Sequence, residues 1–350
     1  MLFGSDNWAG AAPRISESLG RHSVGYAPAY GDSDLDKSVE ATFNEVFETD
    51  CRVFFVGTGT AANSMAFALV MKPGGVAFCH REAHLAANEG GAPEFMTGGG
   101  RLCAVDGPLG KISPESLLRV SEPYSSSFNH LGQGTMVSIT QSTEAGTCYS
   151  LSEIEAVSET ASKNGLVLHM DGARFANALV DLDCSPSEMT WKRGVDMVSF
   201  GGTKNGCWCA EALVVFNPEI AASSEFVRKQ MGHLFSKTRF MTAQFQAYFE
   251  DGLWLDLARH SNSIGNELVE MIQNSNRVRL AWPSSTNQVF FVAKREDASK
   301  WLDAGARFHL FPTPEFLEGE ISGDEQLYRL VASFISTSDD VKALSSVINQ

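Results

Sequence analysis

Two polar side chains each follow a short apolar run, and together they suit one kind of chemistry. Leu166-Val167-Leu168 runs on to Asp171-Gly172-Ala173-Arg174, and Met197-Val198-Ser199-Phe200 runs into Gly201-Gly202-Thr203-Lys204. Apolar runs that stop at a polar tip read as buried strands, and in an α/β sheet ligands bind at the carboxyl ends of strands. A lysine amine can condense with an aldehyde to form a Schiff base. Pyridoxal phosphate is such an aldehyde. Its ring nitrogen draws electrons only when protonated, which a buried carboxylate beside it secures. Lys204 and Asp171 therefore point to that cofactor. The alternative is structural: Asp171 caps a helix and Lys204 is solvated.

A phosphorylated cofactor also needs an anion site. Val53-Phe54-Phe55-Val56 reads as a buried strand, followed by Gly57-Thr58-Gly59-Thr60-Ala61-Ala62-Asn63 and helix formers to Met71. A strand, a small-residue loop and a helix start offer free backbone N–H groups and a positive dipole end to a phosphate. The stretch has neither the lysine of a Walker motif nor the spacing of a dinucleotide fingerprint. His84 follows another strand-like run, Gly75-Val76-Ala77-Phe78-Cys79. It suits stacking on a flat ring or work as a base, or simply a hydrogen-bonded place in a loop.

The elements that must position these residues alternate. Strands are expected at 101–105 and 136–140, and helices from Ser113-Pro114-Glu115 and from Ser150-Leu151-Ser152-Glu153 to Asn164. The last start has the form of a capping box. Ser33 to Phe47 spaces Leu35, Val39, Phe43 and Phe47 four apart, as an amphipathic helix does. Repeated strand–helix units imply a largely parallel sheet. Residues 1–35 are punctuated by glycine and proline and read as arm and loop; 121–131 is serine-rich and reads as a loop. Cys207-Trp208-Cys209 reads as a buried strand, since no second cysteine or histidine pair completes a zinc site. Phe245 to Leu257 reads as helical, Leu255 to Ile272 as a long helix, Thr286 to Val292 as a strand, and Asp339 to Ile348 as an amphipathic helix.

Composition sets outer bounds. The chain has 350 residues, 43% hydrophobic and 20% charged, enough for two domains with a sizeable core. Its 42 acids against 27 bases leave a net charge of −15, which argues against nucleic acid or an anionic membrane as main partner. No apolar run reaches the length of a membrane span and no signal peptide is visible, and seven cysteines in likely core segments suit reduced thiols in the cytoplasm.

At this point the sequence resembles the threonine aldolases, pyridoxal-phosphate enzymes of fold type I, and is most similar to the phenylserine aldolase and low-specificity L-threonine aldolase branch. The motifs run nearly end to end: SDNWAG (5–10), APAYGD (27–32), GTGTAANSM (57–65), HLAANEGGAPEF (84–95), SITQSTEAGT (138–147), LHMDGARFANAL (168–179), SFGGTKNG (199–206) and RKQMGHLFSKTRF (228–240). The resemblance implies a large cofactor domain over 1–248, with an N-terminal arm of about 1–33, and a small C-terminal α/β domain over 249–350. It implies that Lys204 carries the cofactor and Asp171 pairs with its ring nitrogen. Gly59 and Thr60 would hold the phosphate, His84 would stack on the ring, and Arg174 would also border the cofactor. Ser5, Arg174 and Arg329 would bind the substrate carboxylate. Arg228, His233 or Lys237 would reach the phosphate of an adjacent subunit in a homotetramer.

One departure bears on catalysis. Many threonine aldolases have Glu-Asn-Thr-His where this chain has Gln141-Ser142-Thr143-Glu144, so His84 and Glu144 are the candidate bases. Phe3, Trp8, Tyr30 and Phe95 are candidates for favouring an aromatic aldehyde. The expected reaction is retro-aldol cleavage of a β-hydroxy-α-amino acid to glycine and an aldehyde, with no metal. The alternatives are a β-eliminating lyase or aminotransferase of the same fold, or a non-catalytic phosphate-ligand binding protein.

Overall fold

A computed structural model describes residues 1–125 and 130–350. Its larger sheet contains β1 (Arg52–Val56), β2 (Gly75–His80), β3 (Arg101–Val105), β4 (Gln133–Thr140), β5 (Val167–Gly172), β6 (Met197–Gly201) and β7 (Glu211–Val215), in the order β1-β7-β6-β5-β4-β2-β3. β5 lies between β4 and β6, and both pairings are parallel. Within this sheet β7 alone runs against its neighbours. The mostly parallel sheet read from the alternating pattern is therefore present, and its strands are apolar throughout because both faces are covered.

Side chains alternate between the two faces. Val53, Phe55, Leu168, Met170 and Phe200 enter one apolar cluster; Phe54, Val56, Met136, Met197 and Leu213 enter the other. The helix Gly59–Val70 covers the second face with Ala61, Ala62, Met65, Ala66 and Phe67. His169 and Asp171 alternate with Leu168 and Met170, so they lie on that same second face. On the first face, Phe43 from the helix Asp34–Phe47 packs edge-on against Phe200 at 5.4 Å, Phe245 at 5.2 Å and Phe249 at 4.9 Å.

A second, antiparallel sheet is built from β8 (Arg279–Leu280), β9 (Gln288–Lys294), β10 (His309–Leu310) and β11 (Glu325–Val331), in the order β10-β11-β9-β8. The helices Leu253–Gln273, Arg295–Asp303 and Ser338–Ile348 cover it through Leu268, Trp301 and Leu344. The helix Arg295–Asp303 has no counterpart in the sequence reading.

Three further expectations need correction. The first residues are not a free arm. The Phe3 amide donates to the Arg307 carbonyl, the Phe3 carbonyl accepts from Val331, and the Phe3 ring is fully buried in the smaller sheet's core. Pro13–Arg21 is helical, with its proline at the position where a missing N–H costs nothing. The helical run over 245–257 is broken: Asp251 and Gly252 take positive φ, ending Arg239–Phe249 and starting Leu253–Gln273. Cys207-Trp208-Cys209 is not a strand. The Trp208 and Cys209 amides donate to Gln244 Oε1, Trp208 is exposed, and β7 begins only at Glu211. The expected loop at 121–131 contains a short 3₁₀ turn, Glu122–Tyr124; residues 126–129 lie outside the described residues.

Phe43→Ala should lower unfolding stability by about 3–5 kcal/mol, because a large ring leaves a cavity among other rings. Glu159→Ala, which removes an exposed pair with Lys163, should change it by less than about 0.5 kcal/mol. Urea unfolding followed by tryptophan fluorescence compares the two.

Candidate active site

The carboxyl ends of β1, β5 and β6 meet at a cavity of about 250 Å³. Gly57 to Thr60, Asn63, His84, Glu89, Asp171, Lys204 and Glu211 line it, with Asn7 and Thr203. The expected residues Gly59, Thr60, His84, Asp171 and Lys204 are thus brought together from four separate stretches of chain. At the start of the helix Gly59–Val70 the Ala61 amide is capped by Thr58 Oγ1, and the Gly59 and Thr60 amides, with no carbonyl a turn earlier to bond, are donors for a ligand at this wall.

Asp171 is buried, and a buried carboxylate must be hydrogen-bonded. Its Oδ1 accepts from the Ala173 amide at 3.0 Å and its Oδ2 from Asn63 Nδ2 at 2.8 Å. The same Asn63 nitrogen donates to Glu89 Oε1 at 2.7 Å, and Glu89 Oε1 lies 3.0 Å from His84 Nδ1. One chain of contacts therefore joins Asp171, Asn63, Glu89 and His84. The hydrogen bond to Glu89 raises the His84 pKa above its ordinary value against the effect of burial. Burial in turn pushes Glu89 above the usual carboxylate range, although His84 and Asn63 both pull it down. Two residues before Asp171 on the same face, His169 is fully buried, with Ser138 Oγ 2.9 Å from Nδ1 and Ser199 Oγ 2.9 Å from Nε2. Burial pushes its pKa down to about 4, so it is a neutral cross-link between β4, β5 and β6.

Lys204 lies on a 3₁₀ turn, Thr203–Asn205, fastened on both sides. Asn205 Nδ2 donates to Tyr248 Oη and to the Trp254 carbonyl, both at 2.8 Å. The Thr203 amide donates to Glu211 Oε1 at 3.1 Å. Gly201 before the turn must lack a side chain, because a Cβ there would stand 2.5 Å from the Ala173 carbonyl oxygen.

A second polar group adjoins the cavity. Arg174 is buried, and its Nε and Nη2 donate to Asp6 at 2.7 and 3.0 Å, while Asn287 Nδ2 donates to the same carboxylate at 3.1 Å. Burial pushes Asp6 up, but Arg174 and Lys204 outweigh it and hold the carboxyl below its ordinary range. Ser5 caps the turn that carries Asp6 by accepting the Asn7 amide at 3.1 Å. Arg329, on β11, lies over the Phe311 ring and 3.9 Å from Glu144 Oε2. Burial, and then repulsion from Arg174, makes the Arg329 guanidinium less firmly charged than usual, and its buried Nε has no partner among the described residues. Glu144 acts electrostatically on both His84 and Arg174, so both candidate bases and both arginines belong to one charged neighbourhood.

Among the three residues expected near a phosphate from an adjacent subunit, His233 accepts the Gly57 amide of its own chain at Nδ1, 3.3 Å away. Arg228 is buried under its own chain, bonded to Glu225 and lying over Phe54. Lys237 is exposed. Of the aromatic candidates, Phe3 is removed from the site by its burial under the smaller sheet, and Phe95 is exposed. Asp6, Asn7, Asn63, Glu89 and Glu211 have no place in the sequence reading. A signal existed for two of them: Asn63 is the one amide side chain in the helix start GTAANSM, and Glu89 follows His84 in HLAANE.

Glu89→Gln should bring the His84 pKa down, because the carboxylate that favours its charged form is gone. Proton NMR titration of the His84 ring in the cofactor-free protein measures this directly; an unchanged midpoint would show that the Glu89 contact does not govern His84.

The family model described as beta-eliminating lyase matches residues 3–296. The low-specificity L-threonine aldolase of Pseudomonas aeruginosa is 38% identical over 309 residues, 88% of this chain and 89% of that protein. The Leishmania major threonine aldolase structure superposes with a TM-score of 0.91 at 26% identity, covering 99% of this chain and 98% of the other. A putative L-allo-threonine aldolase of Listeria monocytogenes, at 16% identity and TM-score 0.75, covers 96% of this chain and 92% of its own and shares the fold. The chain belongs to the beta-eliminating lyase family, within its threonine aldolase group.

Proposed function

We propose that this chain is a pyridoxal-phosphate-dependent aldolase that cleaves a β-hydroxy-α-amino acid of the L-threonine, L-allo-threonine or L-phenylserine type to glycine and an aldehyde. The observation that carries this reading is the convergence of Asp171 and Lys204 on one cavity whose far wall is a helix start, in a chain of the threonine aldolase group. The lining fits the cofactor: the Thr203 hydroxyl, buried without a partner among the described residues, is a donor for an anionic group, and Asp171 is an acceptor for a protonated ring nitrogen. Lys204 would hold the aldehyde carbon, Asp171 the ring nitrogen, the Gly59 and Thr60 amides the phosphate, and His84 the ring face. When bound, pyridoxal phosphate supplies an aldehyde for an amino group and a ring that accepts the electron pair of a broken bond.

The chain's own residues supply binding and proton transfer. Two guanidiniums near one another favour a planar anion between them, and the substrate carboxylate is such an anion. Arg329 has an unpartnered Nε to offer, and Arg174, oriented by Asp6, retains Nη1; Ser5 retains its hydroxyl proton as a donor. With its Nδ1 proton directed to Glu89, neutral His84 presents a free lone pair at Nε2. That atom is placed to take the β-hydroxyl proton as the Cα–Cβ bond breaks and the aldehyde leaves. Glu144 is the second candidate for this proton, and its proximity to Arg329 favours a role in orienting the carboxylate site instead.

The reading extends to assembly and place. Tyr26, Tyr30, Phe226 and Phe235 expose large apolar surface on segments beside the phosphate loop, which supports association with a second copy and a homotetramer. The larger sheet before residue 248 and the smaller sheet after it support a division into 1–248 and 249–350, with Phe3 crossing to the smaller sheet's core. Seven free thiols suit the cytoplasm, and among the described residues no helix is long and apolar enough to cross a membrane.

Incubation with L-threonine or L-phenylserine should yield glycine and acetaldehyde or benzaldehyde. Keto acid and ammonia would instead identify a β-eliminating lyase, and amino transfer to a second keto acid an aminotransferase. Lys204→Ala should abolish turnover; an alanine variant that turns over would remove Lys204 from its role.

A further inference from the structure

Three carboxylates line the cavity. Asp171 is held for the ring nitrogen and Glu89 holds His84; Glu211 has part in neither. Its place follows from the sheet. Because β7 runs against its neighbours, its first residue falls at the edge where β1 and β6 end, paired with Val56 on one side and Gly201 on the other. Glu211 therefore stands between the Gly57–Thr60 loop, which offers amides to a phosphate, and the turn that carries Lys204. It is 6% exposed, and its Oε1 accepts the Thr203 amide at 3.1 Å.

A carboxylate in the same cavity as a phosphate site is an electrostatic conflict if both are ionised. Burial already pushes the Glu211 pKa up to about 7, against Thr203 and the positive charge of Lys204. The other titratable groups around it are Asp171 on β5, Cys207 and Cys209 before β7, Tyr248 on the helix Arg239–Phe249, and His233 on the Gly57 amide. Burial holds Cys207 and Tyr248 well above their ordinary values and raises Cys209, so these stay protonated; burial also lowers His233, which stays neutral in the range where Glu211 titrates. A phosphate dianion entering this space adds negative charge beside Glu211, and neutralising that carboxyl relieves the repulsion.

We propose that Glu211 is a proton-coupled positioning residue of the phosphate site: its carboxyl holds the Thr203–Lys204 turn and takes up one proton from solvent when the phosphorylated cofactor enters. Capture of the cofactor is then undisturbed by Glu211 below neutrality and is opposed by it above. This rests on reading the cavity as a pyridoxal phosphate site.

The probe is pyridoxine 5′-phosphate, which has the ring and phosphate but no aldehyde to condense with Lys204. Calorimetric titration of the cofactor-free full chain, in buffers of different ionisation enthalpy, counts the protons taken up. Pyridoxine, which has the same ring nitrogen for Asp171 to keep protonated but no phosphate, is the reference. Pyridoxine 5′-phosphate should take up close to one proton more than pyridoxine at about pH 8.5. In Glu211→Gln this excess should vanish, and the ratio of wild-type to variant Kd should grow by up to about tenfold per pH unit above neutrality. Lys204→Ala should keep the excess; its loss there would assign the proton to the lysine and overturn the proposal. An equal excess in wild type and Glu211→Gln would also overturn it. Absence of any binding by the wild-type chain would overturn the cofactor reading and this proposal together, whereas binding without the excess overturns this proposal alone.

Discussion

A carboxylate buried at the end of a central strand has to be hydrogen-bonded, and much of the site follows from how Asp171 meets that demand. Its partners are the Ala173 amide and Asn63, and Asn63 comes from the helix whose first residues form one wall of the cavity. The helix is thereby fixed to the strand by the same side chain that orients the acid. Asn63 has a second acceptor in Glu89, and Glu89 in turn holds His84. Asp171, the start of the helix Gly59–Val70 and the candidate base His84 are positioned by one connected set of polar contacts, and such a set specifies its geometry only when every member is present. Beneath it the neutral His169 joins three strands without adding a charge.

The carboxylate-binding side depends on a different constraint. A buried guanidinium needs an anion, and Asp6 supplies it to Arg174 across 168 residues of sequence. Asp6 is delivered because Met1 to Phe3 is fastened to the smaller sheet while Ala12 bonds Gly206 beyond the Lys204 turn. The N-terminal segment thus links both sheets past the cavity. Arg329 enters from the smaller sheet on β11, so the two neighbouring arginines come from the two halves of the chain. Pairing Arg174 inside the protein while leaving Arg329 with an unpartnered Nε gives the two cations separate tasks: one is oriented, the other is available.

Strand tips and glycine loops were legible because they are local. Asp171, Lys204, Gly59 and Thr60 each end a run whose apolar pattern marks a strand, and the sheet brings such ends to one edge. The helix of residues 34–47 and the cap at Ser150 are equally local, and both stand as read. What the pattern could not display were pairings between distant polar residues. Glu89 with Asn63, Asp6 with Arg174, and Glu211 with the Thr203 turn are set by folding, and none has a periodic signature. The packing of the N-terminal segment, including the helix Pro13–Arg21, was missed for a related reason. Glycine and proline mark loops and helix starts alike, and only the buried Phe3 and Ile15 reveal that the segment is packed. The helix break at Asp251 and Gly252 has the same origin, since one turn of backbone decides it.

The central claim is that Lys204, and no other lysine, receives the cofactor in a cavity faced by Asp171. Borohydride reduction of the protein loaded with pyridoxal phosphate, followed by peptide mass mapping, tests it most directly. The account predicts a single pyridoxyl label on the peptide containing Lys204. A label confined to other lysines, or no label on a saturated protein, would contradict it.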